Sequence, residues 1–501
     1  MVLTRSQVVL TIILTASSLA GQIVAGTNGK VAVLFSCAIL FGILSIFAGG
    51  GLASIFGFLN AVLIGKFLLV AVALKSIMGE PTDGPLRSPS TTGWVMAVGF
   101  FGVWLATALQ SQLRTPDSLL LGKTFSTQML FCFSIAMVVT TYGGYLLSLS
   151  QDAQADSAQT GGLVGIAHIM GSLKSLSIVP PMLYFWRTKS RLWMTHPVIL
   201  LLLGWSATVG VFATGKQDAI EPLVFYVLVG FIRYGWRNTR LWSLVALGLV
   251  YYAVIIFPYS QYIRHNGGRA GSIQDRITAT KEAFLRIATS GDFRSEEENK
   301  ESKAYYFDAS LSAFSRLAMV GEADRLIYAT EQQKAFTGWE TITWGFKLLM
   351  PSFLYPNKPI HEAANYLSHI AGESNIRDTT TQVSYGVMAN FFNAFGLLGV
   401  AVGTPLFFGA FYYWIRIFLG NPRLDQAGGM STLWFLWLVG IYQHRIVEST
   451  ISGLTASISF PAVIILMLLA TRVVYMLIVR TEVPDYEDFY APGAAIWQRV
   501  H

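Results

Sequence analysis

Residues 31–49 read VAVLFSCAILFGILSIFAG, nineteen positions in a row without a charge. At 1.5 Å of rise per residue, such a run extends about 28 Å as a helix, close to the ~30 Å hydrocarbon core of a bilayer. The next stretch, 52–76, is LASIFGFLNAVLIGKFLLVAVALKS, equally apolar apart from Lys66 and Lys75. The pattern repeats along the chain. Hydrophobic residues make up 53% of the 501 positions and charged residues 13%, about half the charge that a water-facing globular surface carries. A soluble enzyme or a nucleic-acid-binding module is therefore excluded, and the formal charge of +7 reads as loop Lys and Arg at a negative membrane face. Cys37 and Cys132 sit inside apolar runs, so no disulfide is expected.

Twelve spans are expected, at 7–26, 31–49, 52–76, 93–112, 127–149, 161–186, 196–215, 220–236, 239–258, 385–415, 431–445 and 453–479. The first, with a lone Arg5 before it, is read as a retained helix because no small-residue cleavage site follows. The segments near 49–51 and 219–222 are the least secure of these, because a short turn there leaves room for a re-entrant hairpin. Arg114, Lys123, Arg187, Lys189, Arg191, Arg233, Arg237, Arg240, Arg416, Arg423, Arg472 and Arg480 fall in alternate loops or in the span ends beside them. That asymmetry puts both termini in the cytoplasm. The expected organisation is helices over 1–258, a large periplasmic loop over 259–384, further spans over 385–480 and a cytoplasmic tail over 481–501. A loop of that length is functional or a small domain. Ile273, Ile277, Phe284 and Ile287 recur in it at helical spacing, as in an amphipathic surface helix. No internal repeat is apparent.

Three polar groups stand out. The first is Tyr262, Arg264, His265, Asn266 and Arg269, directly after the ninth span. Arginine's planar fork of donors suits phosphate oxygens, although charge at a helix end also arises from contact with ordinary lipid phosphates. The second is Arg316, Glu322, Asp324 and Arg325, on a helix expected over 310–333, where the competing reading is a surface helix laced with ion pairs. The third is His444, Arg445 and Glu448, spaced to share neighbouring positions on a helix. A self-neutralising Arg–Glu pair is its alternative. Lys66 and Lys174 look like snorkelling or packing residues. No phosphate-binding Gly-rich loop, metal-ligand spacing or nucleophile elbow occurs. No Asp-x-Asp pair lies in the expected loop, so a metal-independent reaction without cofactor is expected.

Residues 336–359, FTGWETITWGFKLLMPSFLYPNKP, and 384–403, SYGVMANFFNAFGLLGVAVG, resemble the Wzy-type O-antigen or oligosaccharide repeat-unit polymerases of bacterial envelopes. Pro351, Pro356, Lys358 and Pro359 fit that family's Pro-x-x-x-x-Pro-x-Lys-Pro element. Asn390, Phe395, Gly396 and Gly399 fit its Asn-Phe-Gly-x-x-Gly-like helix start, with Asn and Phe further apart than usual. Ser352 stands where many members have arginine. The resemblance implies an all-helical, GT-C-like glycosyltransferase of the inner membrane. Such an enzyme moves a growing glycan from undecaprenyl diphosphate onto a new lipid-linked repeat unit, with membrane lipids and a chain-length regulator as partners. On that reading Arg264, Arg269, Arg316, Arg325 and Lys358 hold the diphosphate. His444 is the base, with Glu448 and Arg445 beside it, and Tyr262, His265, His361, Tyr385 and Asn390 are further candidates. An O-antigen ligase and a lipid-linked oligosaccharide flippase remain the alternatives.

Overall fold

The structure, a computed structural model, describes residues 4–113, 126–150, 170–171, 173–190, 192–212, 216–235, 237–257, 259–260, 317–334, 336–349, 363–373, 383–419 and 467–478, with positions 278, 280–282, 285, 306–307 and 314 besides. Among these the regular structure is helical, with no strand. Seven of the described helices are long and apolar enough to cross a membrane. That is the architecture of a helical membrane protein. Of the expected spans, 431–445 lies outside the described residues, as does the tail at 481–501. The span expected at 161–186 is described mainly from Leu173 on.

The chain divides into two compact units, and they are described separately. The first comprises Met1–Leu119, Asn299–Arg423 and Val439–Ile458. Its helices are α1 (Arg5–Val24), α2 (Gly29–Ala48), α3 (Ile55–Met78), α4 (Pro89–Gln112), α10 (Met319–Gln333), α11 (Glu340–Leu349), α12 (Ala363–Ile370) and α13 (Val387–Leu419). Helix starts follow local chemistry. Thr4 and Gln7 form a reciprocal capping box on α1, and the Asn28 side chain accepts from Lys30 N at 3.0 Å on α2. The turn near 49–51 is tight, with Gly50 at φ +97° and Gly51 at φ +76°, and it joins α2 to α3 without a re-entrant element.

The chain reverses instead inside α13. Phe395 (φ −143°, ψ 23°) and Gly396 (φ 63°, ψ −153°) are non-helical inside it. The Phe391 ring lies 6.1 Å from that of Phe407, whereas sixteen residues of straight helix would separate them by about 24 Å. The chain therefore folds back at Phe395–Gly396. A short limb, Val387–Ala394, lies against a long limb beginning at Leu397. The approach is so close that a Cβ on Gly399 would meet the Phe391 carbonyl oxygen at 2.2 Å. The φ/ψ pair of Gly396 belongs to a region essentially reserved for glycine.

Helix α4 sits at the centre of the unit, packed against α2 and α13. Charged side chains from distant segments hold both of its ends. At its start, Asp324 accepts from Arg87 N (2.6 Å), Ser88 N (3.0 Å) and Thr92 Oγ1 (2.7 Å). At its finish the buried Arg416 donates to the carbonyls of Gln110 and Leu113. An anion at the N-terminus and a cation at the C-terminus each complement the helix dipole. Between them Asn60 is satisfied three ways, donating to Ser45 O and Thr107 Oγ1 and accepting from the Tyr412 hydroxyl. In an apolar interior such an amide needs those partners.

The second unit comprises Leu120–Glu298, Leu424–Leu438 and Ser459–His501. Its described helices are α5 (Thr127–Ser150), a 3₁₀ turn (Lys174–Ile178) leading into α6 (Val179–Arg187), α7 (Pro197–Phe212), α8 (Lys216–Tyr234), α9 (Thr239–Ile256) and α14 (Met467–Ile478). Helix α8 runs unbroken through Pro222, so 219–222 is not a hairpin. Lys174 does not snorkel. It is buried, and its ammonium lies 4.7 Å from the Tyr145 ring centroid, where the ring face takes the charge. Lys66, in the first unit, is likewise buried. Of the surface helix expected around 273–287, positions 278, 280–282 and 285 are described and helical. Cys37 and Cys132 are both free thiols.

Candidate functional site

Helix α10 carries the polar chemistry that the structure describes. Its expected start at 310 is corrected to Met319, because Ala318 is non-helical (φ −128°, ψ 55°). Just upstream, Tyr306 and Phe307 instead flank the Lys75 ammonium at 5.7 Å each. Tyr306 donates to Thr82 O at 2.8 Å and packs over Gly321. Nor is α10 a solvated surface helix. Val320, Ala323, Asp324, Leu326, Ile327 and Thr330 are all buried.

Two faces of α10 do different work. One face carries Asp324 and, seven residues on, Glu331, which accepts from Ser88 Oγ (2.8 Å) and Thr91 Oγ1 (2.9 Å). Ser88 is the N-cap of α4 yet makes no side-chain cap bond of its own. Its hydroxyl goes to Glu331, and Asp324 holds the turn. Burial pushes the Asp324 carboxyl above the usual carboxylate range, against the opposing pull of Arg87 N, Thr92, Ser88 N and the Arg87 charge. Arg87 itself lies over the Tyr328 ring at 5.8 Å.

The other face carries Arg325. Its Nη1 donates to Glu322 at 3.3 Å and to Glu373 at 3.0 Å, so the trio holds two carboxylates against one guanidinium. Tyr385 lies close enough to feel all three charges. It is fully buried, and its hydroxyl has no hydrogen-bond partner among the described residues. The following residue, Gly386 (φ +85°), lies against the Phe67 ring and starts the short limb of α13.

That limb brings together the two stretches singled out in the sequence. Thr337 N donates to Asn393 O at 3.0 Å and Gly338 N to Ala394 O at 3.1 Å, so carbonyls freed by the fold-back are satisfied by the chain at 337–338. Thr337 Oγ1 donates to Asn393 Oδ1 (2.9 Å), and Asn393 Nδ2 to Thr330 Oγ1 (2.8 Å). The Trp339 ring meets Phe395 at 5.1 Å, and Phe336 meets Phe392 at 6.3 Å. Phe336, Trp339, Phe395 and Leu398 are exposed, an aromatic and aliphatic rim of the kind found at a membrane interface. Nearby, Tyr366 donates to Glu340 at 3.3 Å. Burial and that carboxylate raise its hydroxyl above the usual range.

Of the residues expected from sequence to form the site, Arg325, Tyr385 and Asn390 are described, and all three lie in this unit. Asn390 is on the buried short limb. Tyr262, Arg264, His265, Arg269, Arg316, Lys358, His361, His444, Arg445 and Glu448 lie outside the described residues. Sequence reasoning missed Glu373, Glu331 and the role of Asp324. The Ser88–Pro89 helix start, with no acidic residue in the first turn, was the signal that an anion is supplied from elsewhere. Comparison with protein-family models, with curated proteins and with solved structures finds no match to this chain.

Proposed function

We propose that the chain is a membrane-embedded polysaccharide polymerase. It transfers a growing glycan from undecaprenyl diphosphate onto a new lipid-linked repeat unit at the outer face of the bacterial inner membrane. The observation that carries this reading is the junction of the 336–338 stretch with the α13 fold-back at 393–396. Two segments that resemble the same enzyme family are hydrogen-bonded to each other beside a charged cluster, through residues more than fifty positions apart.

In the proposed reaction, an acceptor-sugar oxygen bonds to the anomeric carbon of the donor glycan. The bond from that carbon to the diphosphate breaks, and the diphosphate leaves with the electron pair. Arg264, Arg269 and Arg316, with Lys358, stabilise the departing charge without a metal. His444 takes the hydroxyl proton, with Glu448 orienting it and Arg445 beside it. Arg325 joins the diphosphate contacts only by exchanging one of its carboxylate partners, and otherwise it orients Glu322 and Glu373. A chain-length regulator is the proposed protein partner.

Transport is the second reading, favoured by the break in α13 and its buried short limb, because discontinuous helices line many transporter sites. The lengths argue against it. From Leu397 to Leu419 the long limb rises about 34 Å at 1.5 Å per residue, a full crossing by itself. The break therefore lies at the end of a span, away from its middle. Lipid-linked intermediates in a deletion strain separate the readings. Single-repeat glycans on the lipid acceptor support a polymerase. Polymer retained on its carrier supports a ligase, and unflipped precursor supports a flippase.

A further inference from the structure

We propose that the face shared by α2 and α4 is a binding site for one acyl chain of an anionic phospholipid, with Lys30 at the head group. A groove of about 680 Å³ with wholly apolar lining runs between these helices. Its floor is made of small or well-packed side chains: Leu34 and Ala97 are buried and Cys37 is half-buried. Its walls stand proud, with Val33, Trp94 and Phe101 all exposed. A concave apolar strip with bulky rims fits a single hydrocarbon chain better than the face of another helix.

The two ends of the groove differ, and the difference selects the ligand. At one end Phe41 closes it, its ring 5.1 Å from Phe101 and 6.0 Å from Trp104. At the other end are Gly29 and Lys30, in the first turn of α2. Lys30 is exposed and makes no ion pair among the described residues. Its stem can lie along the apolar wall while its ammonium reaches the polar level. A phosphate there meets that ammonium, while the positive end of the α2 dipole is already faced by the Asp83 carboxylate, which accepts from Asn28 N at 3.1 Å.

Length decides between a phospholipid and a long polyprenyl carrier. From Gly29 to the Phe41 stop is about 18 Å of helix. One leaflet of hydrocarbon is about 15 Å deep, half of the ~30 Å core. The groove therefore accommodates one leaflet-length chain and is blocked against anything much longer. This site is separate from the α10–α13 cluster and does not rest on the proposed reaction.

Cys37 on the floor gives a direct readout, and Cys132, fully buried, stays silent beside it. The full-length chain is purified in detergent and the rate of Cys37 labelling by N-ethylmaleimide is followed. Phosphatidylglycerol, phosphatidylcholine, undecaprenyl phosphate and inorganic phosphate are compared as protectants. Phosphatidylglycerol is expected to protect at about fivefold lower concentration than phosphatidylcholine, the factor one lysine contributes at a lipid head group. Lys30→Gln should erase that preference while leaving protection by both lipids. Ala97→Trp should fill the floor and abolish protection by both. Labelling that phosphatidylglycerol does not slow overturns the site. A preference that survives Lys30→Gln overturns the head-group assignment. Protection by undecaprenyl phosphate equal to that of phosphatidylglycerol overturns the length argument, and protection by inorganic phosphate alone overturns the acyl chain. The wild-type and Lys30→Gln measurements decide the matter even where Ala97→Trp does not fold.

Discussion

Replacing Asp324 by alanine removes one carboxylate and strands three donors: Arg87 N, Ser88 N and the Thr92 hydroxyl. Hydrogen bonds to a charged acceptor contribute about 1.5–3 kcal/mol each, and a lost helix-entry contact about 1 kcal/mol. Against that stands the relief of a buried charge, since burial is the largest influence on this carboxyl. The expected net loss is about 2–4 kcal/mol of α10 docking, at least a roughly thirtyfold rise in the undocked population. A thiol placed by Ala323→Cys, on the buried side of α10, reports it through maleimide labelling normalised to a free thiol. Asp324→Asn keeps an acceptor oxygen and sheds the charge, so its loss should stay within about 1 kcal/mol. The pH dependence follows from the sign of the shift. A carboxyl whose docked pKa is raised binds its proton more readily in the docked state. Its contribution is full below the ordinary aspartate value of about 3.9 and is lost as pH rises through the raised value. Labelling should therefore slow as pH falls across that window, and Asp324→Asn should flatten the profile. Labelling as slow in Asp324→Ala as in the parent would refute the reasoning.

Gly396→Ala places a side chain where φ is +63° and ψ −153°, at a cost of about 1–3 kcal/mol. A thermal melt should shift downward, and an unchanged melting point would mean the fold-back is not as described. Arg416→Met keeps much of the apolar stem but loses the bonds to Gln110 O and Leu113 O, so it should destabilise by about 2 kcal/mol; a neutral result would remove Arg416 as the cap of α4. His444→Gln should abolish long glycans while expression and retention of lipid-linked donor persist, with Glu448→Gln milder. Normal polymer from His444→Gln beside none from Glu448→Gln would reverse the two roles. Cysteines introduced at Ser295 and Ser302 should react with an impermeant maleimide on intact spheroplasts, and a requirement for permeabilisation would overturn the proposed orientation.

The apolar runs made the helices legible because length and lack of charge are sequence properties, and residues 31–49 needed nothing more. The fold-back in α13 was not legible. Hydropathy runs evenly through FFNAFGLLG, and it takes the backbone of Phe395 and Gly396 and the packing of Phe391 on Gly399, Gly403 and Phe407 to reveal that the chain reverses. Gly396 and Gly399 were noticed as part of a resemblance, and their physical reasons are a left-handed backbone and a helix approach too close for a Cβ. The α10 cluster was half legible. Glu322 and Arg325 stand three apart and pair as that spacing suggests, but the partner from Glu373 is 48 residues away and carries no local mark. In sequence Asp324 fits a surface ion-pair helix as well as a site, because its donors come from residues 87–92, across more than 230 positions of chain. Lys174 read as snorkelling or packing, and the sequence did not separate the two because the ring that holds it, Tyr145, lies on another helix.

Reconstitution tests the central claim most directly. The purified chain in proteoliposomes, given undecaprenyl-diphosphate-linked repeat units and no other protein, should convert them into a ladder of longer lipid-linked glycans. The ladder should be lost in His444→Gln and in the combined Arg264→Ala, Arg316→Ala variant. Single repeat units that remain single, while a second lipid acceptor becomes glycosylated or the units merely cross the bilayer, would contradict the account.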